Sequence, residues 1–182
     1  MKKLILAIFV SFFTTLFLSA FKVSPSAVKP QNELDYDTIN FESTIISGVK
    51  LGDKQTSLHE KLGKPDSVRK EQTPDAQNGD SFEVYLYGRD AFFIMDNSLS
   101  GFEIKTNRFQ LDNLAGLKVG DPIAKVKKQF PRSYKNRYLD EFNPSRITIS
   151  VQFGQSNSFL EIYLEEGKVK SLTTVTDDDE EE

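Results

Sequence analysis

Gly48-Val49-Lys50-Leu51-Gly52-Asp53 returns as Gly116-Leu117-Lys118-Val119-Gly120-Asp121. Glycine, lysine, glycine and aspartate hold matching places, and the two apolar positions merely exchange Val and Leu. Each aspartate precedes a short segment with apolar residues four apart, Leu58 and Leu62 in the first copy and Val126 and Phe130 in the second. That spacing puts one apolar stripe on a helix and predicts helices over 54–62 and 122–130. Asp53 and Asp121 stand where an N-cap carboxylate accepts unpaired backbone N–H groups. Pro122 takes the first helical position, where its missing N–H costs nothing. Gly63-Lys64-Pro65 and Pro131-Arg132 are expected to stop the two helices.

Downstream of each helix the period changes from helical to alternating. Phe82 to Tyr87 alternates Phe82, Val84 and Leu86 with Glu83, Tyr85 and Tyr87, the pattern of a half-buried strand. Gly88-Arg89-Asp90 turns into 91–95, and Asp96-Asn97-Ser98 into 99–105. In the second copy Arg146 to Phe153 places Ile147, Ile149, Val151 and Phe153 on one side. Turns at 154–157 and 165–167 then lead into strands over 159–164 and 168–175. Segments 67–71 and 134–139 are candidates for one further strand in each copy. The expected fold is α+β: two tandem units, 41–108 and 109–176, each a short helix packed on an antiparallel sheet. Units of this size rarely carry an adequate core alone, which favours a shared core or one continuous sheet.

Residues 1–20 open with Lys2 and Lys3, run apolar from Leu4 to Leu18 and close on Ser19-Ala20. This is the layout of a secretory signal peptide, with a retained membrane anchor as the alternative reading. Phe21 stands where a lipobox would need cysteine, so no lipid anchor is expected there. Cleavage leaves a protein with no stable membrane anchor, in the periplasm or secreted. Residues 21–40, with Pro25 and Pro30, read as an extended linker. The chain has a formal charge of −4, and losing Lys2 and Lys3 takes it to −6, the number of acids in the tail Asp177 to Glu182. The body is therefore close to neutral. It has no basic patch for nucleic acid, and the tail reads as a solvated terminus, with cation or basic-partner binding as its alternative role.

The chain contains no cysteine and one histidine, His59. Thiolate chemistry is excluded, and His59 beside the stripe residue Leu58 reads as a surface helical side chain. Carboxylate pairs remain available to a hydrolase, Asp90 with Asp96 or Glu161 with Glu165. Asp90, Asp96 and Asp140 fall in turns, where Asp is favoured for bonding local backbone. The repeated glycines lack the Lys-Ser/Thr ending of a phosphate loop. No cofactor, metal site or catalytic residue is expected.

GVKLGD, the short helix, Leu62-Gly63-Lys64-Pro65-Asp66 and the aromatic strand that follows resemble the SmpA/OmlA (BamE-like) domain. The tandem layout resembles the β-lactamase-inhibitory-protein fold, and the likeness spans about Thr44 to Val175. The acylated cysteine of the first family and the disulfides of the second are both missing. The resemblance implies a non-enzymatic module that binds another envelope or secreted protein through a sheet face or edge, as assembly helper or inhibitor. If Phe82, Val84 and Leu86 face the helices, Tyr85 and Tyr87 lie opposite. If Leu160, Ile162 and Leu164 do so, Phe159, Glu161 and Tyr163 lie opposite. Exposed aromatic rings beside a carboxylate are candidate interface anchors, rimmed by Arg89, Arg108, Arg132 or Arg146. Equally, the rings could pair across strands or between the units. A rival reading is a small-ligand carrier or weak hydrolase, with Glu161 in a pocket closed by Phe92, Phe102 and Phe109. A third is a spacer whose function lies in the tail.

Overall fold

The computed structural model describes residues 35–72 and 81–176. The expected signal segment, most of the expected linker and the tail Asp177 to Glu182 lie outside the described residues. Eleven strands are present among those described: β1 (Thr38–Ile39), β2 (Ile45–Ile46), β3 (Val49–Lys50), β4 (Ser67–Gln72), β5 (Ser81–Tyr87), β6 (Asp90–Met95), β7 (Ser98–Ile104), β8 (Tyr138–Leu139), β9 (Arg146–Phe153), β10 (Ser158–Glu165) and β11 (Lys168–Thr176). The helices are α1 (Gln55–Leu62), α2 (Ile123–Gln129) and α3 (Pro131–Lys135). β2 and β3 form a separate hairpin, and the remaining nine strands make one sheet in the order β1-β9-β10-β11-β7-β6-β5-β4, with β8 also on β9. Read outward from the β11–β7 junction, the order is β11-β10-β9-β8 on one side and β7-β6-β5-β4 on the other. All pairings in it are antiparallel except that of β1 with β9. Leu58 of α1, Val126 of α2 and inward residues from both sides of the sheet belong to one buried cluster. The fold is thus mixed α+β, with helices packed on a sheet around a shared core.

The two six-residue stretches occupy matching hydrogen-bond frames. The Lys50 N–H donates to Asp53 Oδ2 at 3.0 Å and the Lys118 N–H to Asp121 Oδ2 at 2.9 Å. Gly52 N–H reaches Leu99 O, and Gly120 N–H reaches Val169 O, both at 2.8 Å. Leu99 N–H and Val169 N–H return to Asp53 O and Asp121 O at 2.9 Å. Both second glycines sit at positive φ, 86° for Gly52 and 94° for Gly120, a conformation that a Cβ disfavours. A lysine from each helix closes the frame. Lys61 Nζ donates to Gly48 O and Asp53 Oδ2, and Lys125 Nζ to Gly116 O and Asp121 Oδ2. Leu111 stands between the stretches, bridging to Ile46 and to Leu117.

Several local expectations change. Asp53 and Asp121 do not cap the helices: Lys54 and Pro122 hold the N-cap positions without a side-chain cap bond. The carboxylates turn back instead, where the N–H three residues earlier and a lysine ammonium both offer donors. Pro122 accordingly lies one place outside α2. Pro131 does not end helical structure either, since it opens α3 at a first-turn position. Tyr134 belongs to α3, so only Tyr138–Leu139 of the expected segment 134–139 is strand. The far end of the linker span is extended and paired. Thr38–Ile39 adds to β9, and Asp37 accepts the Arg132 and Ser133 N–H groups that open α3, at 2.8 and 2.9 Å.

Candidate functional site

The facing of β5 is opposite to the expectation. Tyr85 and Tyr87 are 3% and 1% exposed, so neither is a surface anchor. The reason is polar as well as apolar. The Tyr87 hydroxyl donates to Gly63 O at 2.9 Å, at the end of α1, and Tyr85 OH accepts from Gln55 of α1 while donating to Glu83. His59 of α1 stacks on Tyr85 with centroids 5.4 Å apart, so it is a packed side chain rather than an outward one. Phe82, Val84 and Leu86 could fill the same face, but they offer nothing to the helix end. Burial raises the pKa of Tyr85 above the usual tyrosine value, assisted by the Glu83 charge and hydrogen bond. Burial also raises that of Tyr87, against the lowering effect of Arg108.

On β10 the facing agrees with the expectation. Leu160, Ile162 and Leu164 are fully buried, and Phe159, Glu161 and Tyr163 are half-buried on the other face. Strand order does not match β10 to β5, however. Counting outward from the junction, β10 corresponds to β6 and β9 to β5. Register places neighbours on this outer face, because directly paired residues share a side. Tyr163 lies between Thr148 and Ser171, Glu161 between Ser150 and Thr173, and Phe159 between Gln152 and Val175. Tyr36 packs edge-on against Phe159 at 5.3 Å. A depression of about 280 Å³ opens beside Glu161, lined also by Tyr36, Ser150 and Phe159.

The row through Tyr163 continues outward. Tyr138 pairs with Thr148, and Leu139 with Ile147. Beyond them, the turn from Asp140 to Ser145 presents Phe142. Tyr138, Leu139 and Phe142 are 64%, 46% and 97% exposed. The turn is built by local bonds: Asp140 Oδ1 accepts from Phe142 N–H at 2.8 Å and Asn143 N–H at 3.0 Å, and Asn143 Oδ1 from Ser145 N–H at 3.1 Å. Arg146 joins Glu165 at 3.0 Å beneath it, a hydrogen bond that raises the guanidinium ionisation further. Sequence reasoning missed Tyr138, Leu139 and Phe142. Phe142 is the legible one, a large ring in a turn with Asp, Glu, Asn and Pro and no periodicity to bury it.

Other candidates are placed elsewhere. Asp90 is fully buried and accepts from Lys105 N–H, Thr106 N–H and the Thr106 hydroxyl, so its oxygens hold a turn. Asp96 sits in a turn at φ 50°, and Glu165 is paired with Arg146. Arg108 lies over the Tyr87 and Phe109 rings, Arg132 meets Asp35 and Asp37 on either side of Tyr36, and Arg146 meets Glu165 at the end of β10. Phe92, Phe102 and Phe109 are core residues, at 0%, 0% and 4% exposure, and close no pocket beside Glu161. Among the described residues, no group of three or more His, Asp or Glu could hold a metal ion. Among the same residues, no helix is long and apolar enough to cross a membrane.

No family model matches the chain. No curated protein matches it either. A solved Streptococcus mutans structure described as a candidate beta-lactamase inhibitor protein aligns at 14% identity over 68% of this chain and 83% of that one, with a TM-score of 0.29. A likeness of that size carries no argument about fold or function.

Proposed function

We propose that the protein is a non-enzymatic binding module for another envelope or secreted protein, acting outside the cytoplasm as an assembly helper or an inhibitor. The reading includes two tandem units, 41–108 and 109–176, supported by the matching frames around Asp53 and Asp121 and by the mirrored strand order. The binding surface is the outer face of β10 with the turn beyond it: Phe159, Glu161 and Tyr163, extended by Tyr138 and Phe142. One observation carries the choice. Tyr138 at the end of β8 and Phe142 on the turn beyond it expose large rings, and the backbone of that turn is fixed by Asp140 and Asn143. A ring held out by a rigid loop loses little entropy on docking, which is the chemistry of interface anchors.

The test is paired affinity capture from native envelope extract. One bait is the exported chain. The other is Phe142→Asp/Tyr163→Ala, shown by circular dichroism and melting to be folded. A protein held by the first and lost from the second is the expected result. Equal retention by both, or none by either, would sink the proposal for this surface.

A further inference from the structure

β7 and β11 pair through only Ile104–Leu172 and Glu103–Thr173. Beyond these, the Thr174 hydroxyl enters the ladder, accepting from Phe102 N–H at 2.9 Å and donating to Phe102 O at 3.3 Å. A side chain thus takes the place of a backbone partner, and the strands part. Gly101 makes room for it: a Cβ there would run into Thr174 Oγ1 and come within 3.2 Å of the Phe93 ring. Where the strands part, a cleft of about 370 Å³ opens, with Phe41, Phe82, Phe93, Met95 and Phe153 among its walls.

We infer that this cleft is a binding site for an uncharged apolar molecule. Its size falls within the usual range of ligand sites. An apolar cavity of about 150 Å³ accepts one benzene ring, so this one takes roughly two ring equivalents or a chain of similar bulk. Its polar lining is hydroxyl only, and among the described residues no ionisable side chain lines it. A charged group inside would go unpaired. The chain itself argues against an anionic head at the mouth. Thr176 lines the cleft, and Asp177 to Glu182 are tethered directly to it. The chain that joins β4 to β5, Thr73 to Asp80, carries no large apolar side chain that could fill the space instead.

The test uses N-phenyl-1-naphthylamine, a neutral probe that brightens in apolar surroundings, with the intact exported chain. The expected result is one-site saturable binding, displaced by decan-1-ol, with decanoate at least tenfold weaker at neutral pH. Ser158→Phe and Thr176→Phe put a ring into the mouth from its partly exposed or exposed pair. Each should weaken the probe at least tenfold while melting like the parent. Phe142→Asp should leave probe binding unchanged, which separates this site from the proposed protein-binding face. Absence of saturable binding to the intact chain overturns the inference, and so does binding that both ring variants leave intact. Displacement by decanoate as strong as by decan-1-ol overturns the assignment to uncharged ligands.

Discussion

Removing Asp121 should cost clearly more stability than removing Asp53, although the two carboxylates serve the same frame. Asp121 is 14% exposed and holds Lys125 at 2.7 Å, itself 28% exposed, besides the Lys118 N–H. Asp53 is 28% exposed, and its lysine is 45% exposed at 3.5 Å. A hydrogen bond to a charged group contributes roughly 1.5–3 kcal/mol when shielded, while an exposed ion pair contributes about 0–1 kcal/mol. With partial solvent screening of the Asp121 pair, Asp121→Ala loses about 3 kcal/mol and Asp53→Ala about 1.5 kcal/mol. Urea unfolding followed by circular dichroism reads the difference. With a slope of about 2 kcal/mol/M, the midpoints fall by about 1.5 M and about 0.7 M. The cycle with Lys125→Met isolates the ion pair, whose coupling should be about 1–2 kcal/mol. Equal losses at the two aspartates, or a coupling indistinguishable from zero, would refute the reasoning that burial sets the strength of the frame.

Asp90→Ala should destabilise by about 3 kcal/mol or more, because two backbone N–H groups and a hydroxyl lose their acceptor inside the protein; urea midpoints measure it. Gly101→Ala should cost about 1–3 kcal/mol through overpacking against Thr174 and Phe93, and Gly101→Ala/Thr174→Ser, which removes a methyl but keeps the hydroxyl, should recover little of it. Stability should also fall above about pH 10, the unperturbed tyrosine value. Tyr85 and Tyr87 keep their protons in the folded state after the unfolded chain has lost its own, so their contribution is complete below that pH and is lost as pH rises through the raised values. Urea midpoints taken across that range should show a shallower decline in Tyr85→Phe/Tyr87→Phe than in the parent.

The strands and helices were legible because their patterns are local. Arg146 to Phe153 alternates cleanly, and its expected bounds coincide with β9. Facing was legible where only one side of a strand is apolar, as in β9. In β5 both sides carry large residues, and the side was settled by partners distant in sequence, Gln55 and Gly63, which receive or supply the tyrosine bonds. The same limit explains Asp53 and Asp121. A carboxylate before a helix suits an N-cap, but a nearby lysine and an N–H three residues back compete for it. The cleft could not be read at all, since it depends on one threonine entering a ladder whose register only the assembled sheet determines.

The lysines show what the two copies hold in common. Lys61 stands eight residues after Asp53, whereas Lys125 stands four after Asp121, yet each reaches the first glycine carbonyl and the aspartate of its own stretch. What recurs is therefore the acceptor pair, and the donor is free to come from either helical turn. The backbone frame and the strand order recur with it. Among the described residues, α3 and the Tyr36–Phe159 contact have no counterpart in the first half, and the β8–β9 turn corresponds in strand order to Thr73–Asp80, which lies outside the described residues. A frame in which carboxylate, carbonyl, N–H and ammonium are all bonded tolerates little change, while a rim carrying Phe142 at 97% exposure contributes little to folding. The uneven distribution supports the proposed docking on the second half. Grafting the Asp140–Ser145 turn between β4 and β5 in place of Thr73–Asp80 should therefore give a folded protein whose partner binding still depends on Tyr163. Capture that survives Phe142→Asp through the grafted ring alone would show that the turn acts without the β10 face.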